Sequence, residues 1–206
     1  MIRNIVFDMG NVLIHWCPET FIARLDVPEA DRPLLLKEVF SCVEWVQLDR
    51  GVITHEEAAA AICRRLPERL QDAARTLVFD WWKRPLLPME GMAELIHELK
   101  DLHYGIYLLS NAGLDQPRYF DRIPGSEYFD GRIISSEWKL IKPQPELFQI
   151  LLQKFDLKAE ECFFVDDLYI NVEAAIFVGM SGTIFKNADD LRLTLIQAGI
   201  PLSSPD

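Results

Sequence analysis

The sequence has no pair of cysteines in C-x-x-C spacing: Cys17, Cys42, Cys63 and Cys162 stand far apart. That argues against a zinc cluster and against the disulfide framework of a small secreted domain, and it leaves reduced thiols packed as small apolar residues. Clusters of lysine and arginine are also missing. With 21 basic against 32 acidic residues the net charge is −11, so nucleic acid and anionic membrane surfaces would be repelled and neither is expected as a partner. No apolar run reaches the length of a membrane span, and the run within MIRNIVFDMG is too short for a signal-peptide core, so a cytoplasmic protein is expected. Neither a low-complexity linker nor an internal repeat divides the chain, and nothing in it specifies an oligomer.

What is present is a globular composition, 50% apolar and 26% charged over 206 residues, enough for one core or for one core with a small accessory domain. Apolar runs of buried-strand character recur at 2–8, 105–110, 131–135, 162–166 and 182–185. Helical periodicity marks 88–102, 144–155, 170–178 and 188–198. Such alternation predicts an α/β fold with a mostly parallel sheet. The interval 15–85 contains no convincing strand. There, Leu35, Val39, Cys42, Val43 and Val46 fall on one helical face, and Thr54 with Glu57 has capping-box spacing. The expected organisation is an α/β core of 1–14 and 86–206, with a helical cap, 15–85, inserted after the first strand.

In open parallel sheets ligands bind beyond the carboxyl ends of the strands. Every relevant tip here is polar: Asp8 follows the first run, Ser110 and Asn111 the second, Asp166 and Asp167 the fourth, and Lys142 lies in KLIKPQPELF after the third. Two adjacent acids at the end of a buried strand repel unless a cation is near. Taken in order, IVFDMGNVL, IYLLSNAG, KLIKPQPELF and CFFVDDLYINVEAA resemble the four motifs of the haloacid dehalogenase superfamily, over nearly the whole chain. The D-x-G-N-V form is similar to a branch of bacterial sugar-phosphate phosphatases that includes α-glucose-1-phosphate phosphatases.

The resemblance implies a Rossmann-like core, a helical cap and a magnesium-dependent phosphatase acting on a small phosphorylated substrate, such as a hexose 1-phosphate. Asp8 would be the nucleophile, forming an aspartyl-phosphate. Mg²⁺ would sit among Asp8, the Gly10 carbonyl and Asp167, with Asp166 as a further or alternate ligand. Lys142 would neutralise the phosphate, and Ser110 with the main-chain N–H of Asn111 would hydrogen-bond it. Asn171 would hold a loop or an acid in place.

One position departs from the pattern. Most phosphatases of the superfamily carry a second Asp where this chain has Gly10. Losing that general acid–base forfeits about 10²–10⁴ in rate unless the leaving group is good or another group moves the proton. His15 and Trp16, where the chain leaves the first motif, are candidates to face the substrate, and His15 is a candidate for that proton transfer. His55, His97 and His103 are expected at the surface, and Trp45, Trp81 and Trp82 in the core of the helical block. The rival functions are a 2-haloacid dehalogenase, which needs neither the acid nor the metal, and a catalytically weak binding module.

Overall fold

The computed structural model describes residues 1–83 and 85–204. Five parallel strands, β1 Asn4–Phe7, β2 Gly105–Ser110, β3 Gly131–Ile134, β4 Cys162–Asp166 and β5 Ser181–Ile184, form one sheet in the order β3-β2-β1-β4-β5. The chain builds outward from β1 on one side through β2 and β3, then returns to the other side for β4 and β5. The direction of winding therefore changes between β1 and β4, and a crevice opens at their carboxyl ends.

Strand β1 shows why the expected run forms a central strand. Ile5, Val6 and Phe7 are wholly buried, as a strand covered on both faces requires. Side chains alternate, so Ile5 and Phe7 enter the core that continues into the helical segment, while Val6 joins Leu109, Ile133, Phe148 and Phe164 on the opposite face. Burying a side chain of this size contributes about 1.5–3 kcal/mol.

Between β1 and β2 the chain forms α1 Pro18–Ala23, α2 Arg32–Leu35, α3 Val43–Arg50, α4 His55–Arg65, α5 Glu68–Asp80 and α6 Met92–Asp101. The remaining helices are α7 Ser135–Trp138, α8 Pro145–Lys154, α9 Tyr169–Phe177 and α10 Ala188–Gln197. Leu35, Ile62 and Leu77 from α2, α4 and α5 share a continuous apolar core with Phe7 and Ile106 of the sheet. Helix α4 starts at the expected capping box: the Glu57 N–H donates to Thr54 Oγ1 at 3.2 Å, and the Thr54 N–H to Glu57 Oε2 at 2.9 Å.

The single face expected for Leu35 to Val46 is not formed. After α2 the backbone widens into a π turn, Leu36–Phe40, and the helix breaks before α3 begins at Val43. The wider turn and the break rotate the following residues, so Val43 and Val46 are exposed at 62% and 48% while Glu44 and Leu48 turn inward. Glu44 is matched there by Arg65, whose Nη1 and Nη2 donate to its two oxygens at 2.7 and 2.9 Å; those bonds hold the Glu44 carboxyl down at about 2. All four cysteines are free, Cys63 and Cys162 being buried. No helix among the described residues is long and apolar enough to cross a membrane.

Candidate active site

Asp8 sits one residue beyond β1, where its N–H still donates to Val165 O at 2.9 Å, so its side chain emerges at the winding reversal beside the end of β4. The next four residues turn sharply. Met9 O accepts the N–H groups of Leu13 and Ile14 at 2.9 and 3.1 Å, and Asn11 adopts a left-handed φ of 55°. Asparagine is among the few L-residues that tolerate this conformation. The same side chain joins three parts of the site: Asn11 Oδ1 accepts the Trp16 N–H at 3.0 Å, and Nδ2 donates to Asp167 Oδ2 at 3.0 Å.

Lys142 occupies the centre. Its side chain is 1% exposed, and Nζ lies 2.7 Å from both Asp8 Oδ1 and Asp166 Oδ2. A buried ammonium is tolerable only with such partners, since the low-dielectric interior penalises an unpaired charge. Asn111 fixes the lysine from behind: its Oδ1 accepts the Lys142 N–H at 2.8 Å and its Nδ2 donates to the Lys142 carbonyl at 3.1 Å. The Asn111 side chain is thus spent on positioning Lys142.

The two acids of β4 are unequal. Asp166 is fully buried and saturated, accepting from Lys142 Nζ, from the Leu168 N–H at 2.9 Å, and from Asn171 Nδ2 at 3.0 and 3.1 Å to its two oxygens. Asp167 is half-buried, and its one side-chain hydrogen bond among the described residues comes from Asn11. Asp8, Asp166 and Asp167 each place one carboxylate oxygen within 4.8 Å of the others. An all-oxygen, all-carboxylate set of this kind suits a hard divalent cation. Burial, reinforced by Asp166, pushes the Asp8 carboxyl up to about 6 against the opposing pull of Lys142. Burial likewise raises Asp167, opposed by its Asn11 hydrogen bond. For Lys142, burial disfavours the ammonium, but the charges of Asp8 and Asp166 outweigh it and the net shift is upward. All of these tendencies reflect negative charge crowded into a dry site.

Above the carboxylates lies a cavity of about 370 Å³. Asp8, Gly10 and Asn111 form part of its lining, and Trp16, Trp45 and Trp81 give it aromatic walls. The Trp16 ring meets Trp81 edge-on at 4.8 Å between centroids. Trp45 and Trp81, expected in the interior of the helical block, thus also face the cavity, Trp45 from α3 and Trp81 from the turn that follows α5.

Trp16 faces this cavity, whereas His15 is exposed and lies outside its lining. The Ser110 hydroxyl is buried at the end of β2 with no side-chain partner among the described residues. His97 and His103 are exposed, but His55, expected at the surface, lines the cavity from the start of α4 and packs against Phe79.

Four residues escaped the sequence reading: Asn11, Asp49, His55 and Asp115, all lining the cavity. For Asn11 a signal existed, an Asn after Gly in a tight turn. Asp49 and Asp115 are isolated acids on a helix and a loop, and only the tertiary fold turns them inward.

The model of the haloacid dehalogenase-like hydrolases matches residues 2–179, and the chain belongs to that family. Among curated proteins, a sesquiterpene phosphatase of Aspergillus oryzae is 30% identical over 181 residues, 86% of each chain. The flavin mononucleotide hydrolase 1 of Arabidopsis thaliana is 27% identical over 173 residues, 82% of this chain and 69% of that one. Among solved structures, a haloacid dehalogenase family enzyme of Bacteroides thetaiotaomicron in complex with magnesium and inorganic phosphate superposes with a TM-score of 0.69 at 25% identity, covering 91% of this chain and 96% of the other.

Proposed function

We propose that this hydrolase is a magnesium-dependent phosphatase of small phosphate monoesters, acting through an aspartyl-phosphate on Asp8, with sugar phosphates such as a hexose 1-phosphate as its substrate class. The observation that carries this reading is the buried Lys142 bridging Asp8 and Asp166 at 2.7 Å, beneath a cavity that Asp8 also lines. A cation is held where a phosphate dianion must approach a carboxylate. Without it the two anions would repel. Lys142 meets Asp8 at Oδ1, and the carboxylate also lines the cavity from which a substrate would approach.

In the first step a carboxylate oxygen of Asp8 attacks phosphorus, the bond from phosphorus to the alcohol oxygen breaks, and that oxygen takes up a proton. In the second, water attacks the phosphorus, and the electron pair of the broken bond returns to the Asp8 carboxylate. Lys142 offsets the charge of the transferring group, and Ser110 with the Asn111 N–H would bond its oxygens. Asp166 and Asn171 serve by holding Lys142. Asp8, Asp167 and the Gly10 carbonyl would hold Mg²⁺, which when bound supplies further positive charge at the phosphate.

Aromatic walls with Asp49 and Asp115 at the cavity surface favour a sugar, whose C–H faces lie on rings while its hydroxyls hydrogen-bond to the carboxyl groups. The names of the two curated relatives and the magnesium and phosphate in the related structure support the broader reaction. Phosphate release from a panel of sugar phosphates, with Mg²⁺ and then with excess chelator, tests it. Turnover is expected with Mg²⁺ and should fall roughly 10²-fold or more on chelation. Undiminished activity in chelator would overturn the metal-dependent reading and favour halide displacement.

A further inference from the structure

Gly10 leaves the first motif without its proton donor, although the space beside it would admit a Cβ at ordinary van der Waals distance. A Cβ built on Gly10 would meet Trp16 Cβ at 3.5 Å and Trp16 Cγ at 3.9 Å. A proton must therefore come from another wall of the cavity. We propose that Asp49, brought in by α3, is the catalytic general acid–base that this chain uses in place of an acid at position 10. The inference rests on the phosphatase reading above and says which group serves its leaving alcohol and its attacking water.

Three attachments within three residues fix Asp49. Ser135 Oγ donates to the Asp49 carbonyl at 2.5 Å while accepting the Ala112 N–H at 2.9 Å, so the backbone of α3 is tied to the loop that carries Asn111. Arg50 Nη2 donates to Gln144 Oε1 at 3.1 Å. Gly51 ends α3 at a left-handed φ of 72° and lies so close to α7 that a Cβ would come 2.1 Å from Ser136 O; only glycine permits this contact. These attachments fix the backbone that bears the Asp49 side chain.

The Asp49 carboxyl has no hydrogen-bond or ion-pair partner among the described residues, and it lines the same cavity as Asp8. Asp115 lines it too, and the charges of Asp115 and Asp8 both act on Asp49. The titratable groups facing it are Asp115 and Tyr119 from the segment after β2, Asp8 from β1 and His55 from α4. Burial, with Asp115 and Asp8, pushes the Asp49 carboxyl up to about 8, so it holds its proton at neutral pH, as a general acid must. During the first step the electron pair of the breaking bond goes to the alcohol oxygen, which takes the Asp49 proton. During the second the resulting carboxylate accepts a proton from water as its oxygen bonds to phosphorus. Atoms and charge balance over the cycle, and Asp49 ends protonated.

The test compares Asp49→Asn with the unaltered protein on two esters, p-nitrophenyl phosphate and an alkyl phosphate such as glycerol 2-phosphate, both with Mg²⁺. The ratio kcat/KM ends at departure of the alcohol, so it reports the first step alone. For the alkyl ester it should fall about 10²–10⁴-fold, and for the nitrophenyl ester, whose leaving group needs no proton, less than tenfold. The alkaline limb of the alkyl-ester pH profile should vanish in the variant. An amide does not titrate, so Asp49→Asn should be at least as stable as the parent, with a margin that grows as pH rises toward 8. Equal losses on both esters, a loss confined to KM, or an alkaline limb that persists would each overturn the assignment of Asp49. If the unaltered protein released phosphate from neither ester, the phosphatase reading itself would fall.

Discussion

Replacing Asp8 with Asn should reduce phosphate release roughly 10⁴-fold or more, with the fold intact. The amide keeps the shape of the side chain but cannot attack phosphorus. Its oxygen can still accept from Lys142, and Lys142 keeps Asp166 at 2.7 Å, so no buried charge is left unpaired. Asp8 is already strained toward its neutral form, its carboxyl pushed up to about 6, so removing the charge costs little. Unfolding free energies should therefore agree within about 1 kcal/mol while kcat collapses. A variant retaining a tenth of the parent kcat would exclude Asp8 as nucleophile.

Replacing Lys142 with Met should do two kinds of damage at once. Activity is expected to fall about 10³-fold, because Lys142 is the protein cation that touches Asp8 where the dianion must approach. Stability should fall by about 3–5 kcal/mol at pH 8, the cost of leaving buried carboxylates without their cation. The pH dependence has a definite sign. Asp8 already binds its proton more tightly folded than unfolded, and without Lys142 that difference widens. The folded variant then binds more protons than the unfolded chain, so its stability deficit should shrink as pH falls from 8 to 5. Denaturation curves at the two pH values check this; a deficit that stayed constant, or grew on acidification, would mean that the charges of Asp8 and Asp166 are not the cause.

Much of this arrangement was legible because its signals are local. Ile5, Val6 and Phe7 announce a buried strand, Pro145 starts α8 at its first position, and Thr54 with Glu57 caps α4. The candidate site was legible for a related reason: in a parallel sheet the crevice lies beyond the strand ends, so the positions of Asp8, Ser110 and Asp166 follow from where apolar runs stop. What escaped depended on rotation and approach between elements. The π turn at Leu36–Phe40 changes which side of α3 faces inward, and no composition signal marks it. That rotation presents Trp45 and Asp49 to the cavity. The docking of Gly51 against Ser136 is equally invisible in one dimension. Asn111 was recognised as a site residue, but its side chain holds the Lys142 backbone rather than standing free.

The identity of the group that Asp8 becomes bonded to is the most direct question. The protein should be mixed with Mg²⁺ and p-nitrophenyl phosphate, quenched in acid during turnover, digested, and the peptide containing Asp8 weighed. The prediction is one phosphoryl group on that peptide, absent from Asp8→Asn and lost on treatment with hydroxylamine. Phosphate release with no phosphoryl adduct on that peptide, or a carbon ester on Asp8 after incubation with a 2-haloacid, would contradict it.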